Sequence, residues 1–484
     1  MSPDRIAMVH DGREWTYLEL HRRATRLAHA LAGLGIEHGD RVAYLGPNHP
    51  TFLESLFATG MLGAIFVPLN WRLAAPELAH MLTDSGARVL IHAPAGMELT
   101  PPGVSTVGIA DSYEALVAAA SEHPLDEPVR PDETCMILYT SGTTGHPKGA
   151  MLTHDNIAWN SFNLLLDVDL SADEVTLVAA PLFHVAALNQ TALPTLLKGG
   201  RLILVSAFDP ANALDLIARH KVTYLFGVPT MFLAMARSPG WDSADLSSVR
   251  SAICGGAPVP EAVIALYQQA GVTFMQGYGL TEAAPGILFL REYDSARKAG
   301  SAGTATFFTD VRLVRPDGAD AGPDEPGEII AQGPNIMSGY WRRPSDTEAV
   351  LSADGWLRTG DIGVADADGY VTIRDRTKDL IISGGENIYP AEVEDALYQH
   401  PAVAECAVIG VPDDHWGEVG RAIVVLRDPS QPVMPEDLLE FLSTRIAKFK
   451  IPKSFIFSVA PLPRTASGKV VKKQLRSDFG ATVE

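Results

Sequence analysis

Residues 136–149 read Met-Ile-Leu-Tyr-Thr-Ser-Gly-Thr-Thr-Gly-His-Pro-Lys-Gly, an apolar run followed by a loop of small polar residues. The apolar run predicts a buried strand that leads directly into the loop. The loop residues that can face a ligand are Thr140, Ser141, Gly142, Thr143, Thr144, Gly145 and Lys148. Their backbone N–H groups and hydroxyls can surround phosphate oxygens, and the lysine adds a point charge. The stretch therefore predicts a phosphate-binding loop after a strand of an α/β sheet.

This loop differs from the two commonest nucleotide-binding loops. Counted from Gly142, a Walker A motif needs a glycine before the lysine and a serine or threonine after it. The chain has Pro147 and Gly149 in those two places. The dinucleotide fingerprint G-x-G-x-x-G follows no predicted strand either, so a Rossmann-type cofactor site is disfavoured.

Helical and strand-like segments alternate on both sides of this loop, which favours α/β layers with much parallel sheet. The predicted helix–strand pairs are 17–34 with 41–45, 77–83 with 88–92, and 211–220 with 223–226. The apolar stretch 55–69 is interpreted as a helix end, a glycine turn and a buried strand. After about Gly327 the chain changes to short strands and glycine turns, and a compact βαβ-like unit is predicted from Ile388 to the C-terminus. We place the domain boundary at 376/377, between a large α/β body (1–376) of several subdomains and a small α+β domain (377–484).

Composition and charge narrow the function. The 484 residues include 38 Lys+Arg and 58 Asp+Glu, so the net charge is −20, which argues against nucleic acid as a partner. Residues 441–477 reverse this balance, because they contain nine basic residues and no acidic one. This block includes Ser467-Gly468-Lys469 and favours an anionic, phosphate-bearing ligand, with a solvated basic face as the alternative.

The sequence also predicts a cytoplasmic protein. Its three cysteines, Cys135, Cys254 and Cys406, are far apart and form neither a disulfide framework nor a zinc ribbon. The first residues include acidic side chains and lack an apolar core, so no signal peptide is expected. The apolar stretch 55–69 is too short for a transmembrane helix, which needs about 20 residues.

Taken in order, five short motifs resemble those of the adenylate-forming (ANL) superfamily, which includes acyl-CoA synthetases, peptide-synthetase adenylation domains and firefly-type luciferases. The motifs are the loop 140–149, Tyr-Gly-Leu-Thr-Glu at 278–282, Thr-Gly-Asp at 359–361, Asp-Arg-Thr-Lys-Asp at 375–379 and Pro-Arg-Thr-Ala-Ser-Gly-Lys at 463–469. Each is weak alone, but five in the family's order along the whole chain are specific.

The resemblance implies a two-step reaction and a set of catalytic residues. ATP and a carboxylic acid give an acyl-adenylate and pyrophosphate, and coenzyme A then gives the thioester and AMP. Lys469 would bridge the acid and the α-phosphate, Glu282 would bind Mg²⁺ with Thr281 beside it, and His184 would gate the acyl site. ATP, Mg²⁺ and coenzyme A are thus the implied cofactors and co-substrates. The C-terminal domain would rotate about a hinge at Lys378 between the two steps.

The remaining family positions concern the nucleotide and the thiol. Tyr278 would stack on adenine, next to a segment formed by Gly256, Ala257 and Pro258. Asp361 and Arg376 would contact the ribose. Gly384, Gly385 and Glu386 would line the path of the pantetheine arm. The family's common lysine near 382 or 383 is replaced here by Ile382 and Ser383.

The acid is predicted to be apolar with a single carboxylate. Relatives that activate amino acids carry Phe-Asp where this chain has Phe183-His184, so an amino acid is disfavoured. Candidate pocket residues are His184, Val185, Val228, Gly279 and Ala283. The pattern favours a medium- or long-chain fatty acid, with a cinnamate-like aryl acid as the alternative. Transfer to a carrier protein or an amine instead of coenzyme A, and a homodimer, also remain open.

Overall fold

The computed structural model describes residues 3–93, 103–125, 127–140, 147–256, 259, 261–376, 379–383, 386–413, 415–430, 433–465 and 469–480. The chain divides into two compact units. The first unit comprises Met1–Val311 and Ala331–Leu357, and the second comprises Arg312–Ile330 and Arg358–Glu484. The fold is α/β in the large unit and mixed α and β in the small one, as the sequence predicts.

The strands are β1 (Ile6–His10), β2 (Arg13–Thr16), β3 (Arg41–Leu45), β4 (Ile65–Leu69), β5 (Val89–His92), β6 (Ser105–Gly108), β7 (Thr134–Thr140), β8 (Lys148–Thr153), β9 (Val175–Val178), β10 (Arg201–Leu204), β11 (Tyr224–Gly227), β12 (Ser251–Gly255), β13 (Thr273–Gly279), β14 (Gly286–Leu290), β15 (Thr304–Ala305), β16 (Asp310–Val314), β17 (Pro326–Gln332), β18 (Gly339–Tyr340), β19 (Leu357–Ala365), β20 (Val371–Arg376), β21 (Ile381–Ser383), β22 (Glu386–Ile388), β23 (Val403–Asp413), β24 (Gly417–Leu426) and β25 (Ser454–Ser458).

The α-helices are α1 (Tyr17–Gly33), α2 (Pro50–Met61), α3 (Ala75–Ser85), α4 (Tyr113–Ala119), α5 (His154–Asp167), α6 (Val185–Ala187), α7 (Leu193–Lys198), α8 (Pro210–His220), α9 (Pro229–Ala236), α10 (Glu261–Gln269), α11 (Pro344–Glu348), α12 (Pro390–Tyr398), α13 (Pro435–Ser443) and α14 (Lys472–Phe479). A π-helical turn follows α6 at Leu188–Ala192, and 3₁₀ turns lie at Trp241–Ser243, Thr281–Ala283, Glu292–Asp294 and Lys448–Lys450.

In the described residues, the first unit contains a nine-stranded and a seven-stranded sheet. The nine-stranded sheet has the order β15-β14-β13-β12-β11-β9-β10-β1-β2, and its run from β13 to β1 is parallel. The seven-stranded sheet has the order β18-β8-β7-β4-β3-β5-β6, with β4, β3, β5 and β6 parallel to β7. Strands β7 and β8 form an antiparallel hairpin at its other side. Parallel strands of this kind are buried on both faces, which explains the continuous apolar run of β4.

The predicted helix–strand pairs are confirmed in the first unit. The helix α1 and the strand β3 match the first pair within one residue at each end. The stretch 55–69 forms the end of α2, a turn at Gly63 and the fully buried β4, as predicted. Gly63 has φ of 61°, and a Cβ atom there would lie 2.4 Å from the His38 ring, so the turn requires glycine.

Within the described residues, the second unit contains most of a four-stranded sheet and all of a five-stranded sheet. The first has the order β16-β17-β19-β20. In the second, β22-β21-β24-β23 are antiparallel and β25 pairs in parallel with β24. Leu397, Val408, Val424 and Leu438 are among the residues of a core between this sheet and the helices α12 and α13.

The compact units do not divide at the predicted boundary of 376/377. Residues 358–376, which include most of β19 and all of β20, group with the C-terminal residues. One reason is a direct contact, because Asp375 on β20 accepts a hydrogen bond from the backbone N–H of Ala391 in α12 at 2.9 Å. The predicted position of the hinge, Lys378, lies outside the described residues and stays a prediction. Among the helices described, none combines the length and the apolar character that crossing a membrane would demand.

Candidate active site

The carboxyl edge of the nine-stranded sheet collects several predicted site residues. Val228 directly follows β11, Gly256 directly follows β12, and Tyr278 and Gly279 end β13. Because these strands are parallel neighbours, their carboxyl ends lie side by side. A Cβ atom placed on Gly256 would lie 3.6 Å from the Val228 side chain. Ligands of open α/β sheets bind at such an edge, so its position fits a nucleotide and acid site.

Glycine is favoured by the backbone at Gly256 and required by close packing at Gly279. Gly256 has φ of 84°, a backbone conformation that other residues rarely adopt. At Gly279 a Cβ atom would lie 1.7 Å from the carbonyl oxygen of Pro285, so no side chain fits there. Tyr278, the predicted adenine contact, is half-buried and pairs with Leu288 of β14. The two other predicted adenine-segment residues, Ala257 and Pro258, lie outside the described residues.

The predicted acyl-site segment follows β9 in the same sheet. His184 is half-buried and precedes the short helix α6, with its ring 4.7 Å from the ring of Phe183. Val185 is buried at the start of α6, and the π-helical turn follows immediately. Single π-helical turns are rare and are frequent at functional sites. Tyr224 at the start of β11 donates its hydroxyl to the carbonyl of Gln190 in this turn at 2.8 Å, which ties the segment to the sheet.

The predicted phosphate loop connects β7 and β8. Thr140 and Lys148 are cross-strand partners at the open end of this hairpin. The predicted loop residues Ser141, Gly142, Thr143, Thr144 and Gly145 lie outside the described residues. The Lys148 ammonium is 2.6 Å from a carboxylate oxygen of Asp346 in α11 and 5.4 Å from the centroid of the Tyr340 ring. The end of the predicted loop therefore carries a lysine ammonium that is paired with a carboxylate.

Glu282, the predicted magnesium ligand, lies in the 3₁₀ turn Thr281–Ala283. Its carboxylate is buried and accepts a hydrogen bond from the Tyr340 hydroxyl at 2.7 Å. Burial raises the pKa of Tyr340 well above its usual value, and the negative charge of Glu282 raises it further, so the phenol remains a donor at neutral pH. Thr281, the predicted neighbour of the metal ligand, is half-buried at the start of the turn.

Buried asparagines hold the backbone that follows Glu282. Asn335 donates its amide to the carbonyls of Ala283 at 2.9 Å and Gly286 at 2.7 Å. Asn189 donates to the carbonyl of Ala284 at 3.2 Å, and Asn160 accepts from the N–H of Gly286 at 3.0 Å. The three asparagines are 0 % exposed. They fix a turn in which Ala284 adopts a left-handed φ of 62° and Ala283 is fully buried.

The donor set around Glu282 fits a magnesium ion that arrives with a nucleotide. A carboxylate is the hard oxygen ligand that Mg²⁺ prefers. Tyr340 is an uncharged hydrogen-bond donor, so it does not neutralise the carboxylate of Glu282. Among the described residues, no cluster of three or more His, Cys, Asp or Glu could hold a metal alone. Mg²⁺ typically takes one or two protein carboxylates and completes its shell with phosphate and water oxygens. ATP would therefore supply most of the ligands.

The predicted ribose contacts lie in the second unit. Asp361 and Arg376 are directly opposite each other in the antiparallel pair β19/β20. Asp361 is buried, and its backbone N–H donates to the hydroxyl of Thr359 at 3.1 Å. The strand register thus places two residues that are separated in sequence opposite each other.

The predicted catalytic lysine is hydrogen-bonded to Thr465 in the second unit. Lys469 accepts a hydrogen bond at its carbonyl from the N–H of Thr465 at 2.7 Å and donates its own N–H to the Thr465 hydroxyl at 3.1 Å. Arg464 and Val470 form a β-bridge next to these bonds. Of the predicted thiol-side residues, Glu386 is exposed at the start of β22, and Gly384 and Gly385 lie outside the described residues.

Sequence reasoning missed the residues that support the site. Asp346, Tyr340 and Asn335 contact predicted site residues from positions 52 to 198 residues away in the chain. None belongs to a motif quoted above, and each is a common residue type. The only local signal is that all of them follow β17, in the stretch that leads through β18 into α11.

Comparison with known families gives two matches. The model described as AMP-binding enzyme matches residues 1–341, and the model described as AMP-binding enzyme C-terminal domain matches residues 392–469.

Individual relatives cover nearly the whole chain. Feruloyl-CoA synthase of an Amycolatopsis species is 54% identical over 480 residues, which cover 99% of this chain and 97% of the relative. Indoleacetate–CoA ligase of Aromatoleum aromaticum is 41% identical, with 98% and 95% covered. Long-chain-fatty-acid–CoA ligase FadD13 of Mycobacterium tuberculosis is also 41% identical, with 97% and 94% covered.

A solved structure shows the same fold. O-succinylbenzoate coenzyme A synthetase of Bacillus subtilis, in complex with ATP and magnesium ion, superposes with a TM-score of 0.90. It is 34% identical, and the match covers 98% of this chain and 97% of that one.

Proposed function

The chain belongs to the family of AMP-binding enzymes, and from this membership we propose that it is an AMP-forming carboxylic acid–CoA ligase whose acid is an aryl acid. ATP, Mg²⁺ and coenzyme A are its proposed co-substrates and cofactor. The membership makes the chain an enzyme of the adenylate-forming superfamily.

The proposed reaction has two steps. In the first, a carboxylate oxygen of the acid bonds to the α-phosphorus of ATP, and the bond from that phosphorus to pyrophosphate breaks. Lys469 neutralises the charge that develops between the carboxylate and the α-phosphate, and Lys148 neutralises charge on the departing phosphates. Mg²⁺, when bound through Glu282, supplies further charge neutralisation. In the second step, the sulfur of coenzyme A bonds to the acyl carbon, AMP leaves, and the thiol proton passes to solvent.

The nucleotide would bind at the carboxyl edge of the nine-stranded sheet. Tyr278 provides a half-buried aromatic face there, and the glycines at 256 and 279 leave the backbone open to the base. Asp361 and Arg376 would hold the ribose, because both ribose hydroxyls can donate to one carboxylate. The hinge at Lys378 is part of this proposal.

The single observation that carries the aryl assignment is the 54% identity to a feruloyl-CoA synthase along almost the full length of both chains. The indoleacetate–CoA ligase, whose substrate is also aromatic, supports it. Taken alone, the sequence motifs favour a medium- or long-chain fatty acid, and the relatives favour the aryl alternative. Val185 and Ala283 are buried and apolar, and Val228 is half-buried, as a pocket for an aromatic ring requires.

A fatty acid is the second candidate, because FadD13 is 41% identical along nearly the whole chain. The same pocket residues suit an alkyl chain, because the hydrophobic effect is non-directional and depends on the apolar area that is buried, whether aliphatic or aromatic. His184 stands where amino-acid-activating relatives carry an acidic residue, which fits both candidate acids because neither carries an ammonium group.

The discriminating experiment measures AMP release by the purified enzyme with MgATP, coenzyme A and one acid at a time. The acids are ferulate, cinnamate, indoleacetate, octanoate and palmitate, and the Lys469→Ala variant gives the background. We expect kcat/KM for an aryl acid at least about tenfold above that for either fatty acid, which corresponds to about 1.4 kcal/mol of transition-state binding. A higher value for palmitate or octanoate would reverse the assignment.

The acceptor is tested in parallel. The same assay is repeated with an amine or a phosphopantetheinylated carrier protein in place of coenzyme A. We expect AMP release with acid to depend on coenzyme A. Release that depends on the carrier protein or the amine, and not on coenzyme A, would contradict the ligase assignment and keep only the adenylation step.

A further inference from the structure

Residues 335–340, which lead from β17 into β18 and include β18, contact the turn that carries Glu282 through four hydrogen bonds. Asn335 donates its side-chain amide to the carbonyls of Ala283 and Gly286, at 2.9 and 2.7 Å. The backbone N–H of Met337 donates to the carbonyl of Glu282 at 2.8 Å. The Tyr340 hydroxyl donates to Oε1 of Glu282 at 2.7 Å.

These contacts lie in the interior of the first unit. Asn335 is 0 % exposed, Tyr340 is 8 % exposed and Glu282 is 9 % exposed. Hydrogen bonds in such surroundings are electrostatically stronger than in water, and a buried acceptor is costly to leave unpaired. The first three bonds fix the backbone of the turn. The Tyr340 bond is different, because it alone acts on the carboxylate.

A neutral donor on one carboxylate oxygen has a particular chemical effect. It restricts the rotation of the carboxylate and keeps its negative charge, whereas a lysine or arginine would neutralise it. The nearby cation is held by another acid, since Lys148 pairs with Asp346 at 2.6 Å. The ring of Tyr340 contacts this lysine with its face, 5.4 Å from the ammonium, and its hydroxyl contacts Glu282.

We propose that Tyr340 is a positioning residue that orients the Glu282 carboxylate toward the magnesium ion of MgATP. The proposal rests on the proposed function, because the ion is that of the ATP substrate. Tyr340 itself contacts neither the ion nor the reacting atoms. Partners that orient a ligand in this way are commonly worth about 10- to 100-fold in metal affinity.

The test is Tyr340→Phe, which removes one oxygen and keeps the ring beside Lys148. Mn²⁺ replaces Mg²⁺ as the probe, and its free concentration is measured by electron paramagnetic resonance with the enzyme and α,β-methylene-ATP. We expect the Mn²⁺ dissociation constant to rise by about tenfold in the variant. Glu282→Gln, which removes the charge of the ligand, sets the scale for complete loss of this contact.

Tyr113→Phe is the matched control. Tyr113 is also buried, and its hydroxyl donates to a buried glutamate, Glu54, at 2.6 Å. This control loses the same kind of bond at a distance from the site. We expect it to lower the melting temperature and to leave the Mn²⁺ constant unchanged, and melting curves of both variants show which fraction is folded at the assay temperature.

Kinetics separate positioning from general damage. In Tyr340→Phe the Mg²⁺ concentration for half-maximal ATP–pyrophosphate exchange should rise by the same factor as the Mn²⁺ constant. The rate at which supplied acyl-adenylate reacts with coenzyme A should not change, because that step uses no MgATP. An unchanged Mn²⁺ constant, or an equal loss in both steps, would overturn the proposal.

Failure of the proposed function gives a different result. A wild-type enzyme that binds Mn²⁺ with the ATP analogue but forms no adenylate with any acid would refute the ligase assignment. The comparison of Mn²⁺ constants would still decide the role of Tyr340.

Discussion

The side-chain ammonium of Lys148 lies 2.6 Å from Oδ1 of Asp346, a residue 198 positions further along the chain. Lys148 ends the predicted phosphate loop, and Asp346 lies in α11, a short helix that follows β18. The lysine is only 13 % exposed, so the pair is partly shielded from solvent. A phosphate that binds Lys148 must therefore share it with this carboxylate or displace it.

Replacing Asp346 by Asn should strengthen the binding of ATP. The variant removes the competing negative charge and keeps the shape of the side chain. We expect KM for ATP to fall by about two- to fivefold, the range of a partly exposed ion pair. The control is Asp245→Asn, which removes the partner of Lys221 in an exposed pair with a separation of 2.7 Å. A rise in KM for ATP in Asp346→Asn would show that Asp346 positions Lys148 for the phosphate.

Lys469→Ala should separate the two half-reactions. Lys469 is predicted to act on the α-phosphate alone, so ATP–pyrophosphate exchange should fall by at least about 100-fold, the effect of removing one group that stabilises a developing charge. Supplied acyl-adenylate should still react with coenzyme A. Lys473→Ala, an exposed lysine of α14, is the control and should leave both steps intact. Equal loss of both steps in Lys469→Ala would contradict the assigned role.

Lys378→Pro should stop the second step and spare the first. Proline fixes φ near −65° and so prevents the backbone rotation that the predicted hinge needs. We expect exchange of pyrophosphate to continue while thioester formation is lost. Lys378→Ala removes the same side chain and keeps the backbone free, so it should retain both steps. Thioester formation in the proline variant would place the hinge elsewhere.

Acid should destabilise the protein partly through His49. Burial, and to a smaller extent the positive charge of the nearby His10, lower the pKa of His49 to about 4. His49 caps α2 by accepting a hydrogen bond from the N–H of Thr51, a contact that needs an unprotonated ring nitrogen. Because the folded-state pKa lies below the unfolded value of 6.5, its contribution to stability is complete above pH 6.5 and decreases as the pH falls toward 4.

The measurement is the free energy of unfolding from urea titrations at pH 7 and pH 5. His49 alone should cost about 1 kcal/mol over this interval, because solvent screening at this half-buried ring reduces the 1.36 kcal/mol per pKa unit. His49→Asn keeps an N-cap acceptor that does not titrate, so its loss between the two pH values should be smaller by that amount. His123→Asn, at an exposed histidine, should behave as the wild type. An unchanged loss in His49→Asn would disprove the contribution.

Much of the fold follows from local patterns. The elements α1, β3 and β4 are predictable because apolar periodicity and glycine turns are short-range signals. The strand β24 is not predictable in this way. Its ten residues pair antiparallel with β23, whereas the sequence pattern suggests a βαβ unit there. Grouping of β19 and β20 with the C-terminal residues also depends on tertiary contacts, such as that of Asp375 with α12.

The site shows the same division. The motifs name Glu282 and Lys148 as candidates because their chemistry and spacing are distinctive, but their roles remain predictions. Tyr340 and Asp346 cannot be recognised from the sequence, because each matters only through a contact that the fold creates. Tyr340 contacts Glu282, 58 positions away, and Asp346 contacts Lys148, 198 positions away. Asp361 and Arg376 are intermediate, since their motifs name them and only the strand register places them opposite each other.

Asn335 and Asn189 hold the turn after Glu282 through main-chain carbonyls, so these hydrogen bonds use no atom of the Ala283 side chain. If Ala283 lines the acid pocket, as predicted, an exchange of that side chain would change which acid fits while these hydrogen bonds stay in place. Because the bonds that hold the turn and the side chain that would meet the acid are different groups, relatives named for ferulate, indoleacetate and long-chain fatty acids can keep one architecture.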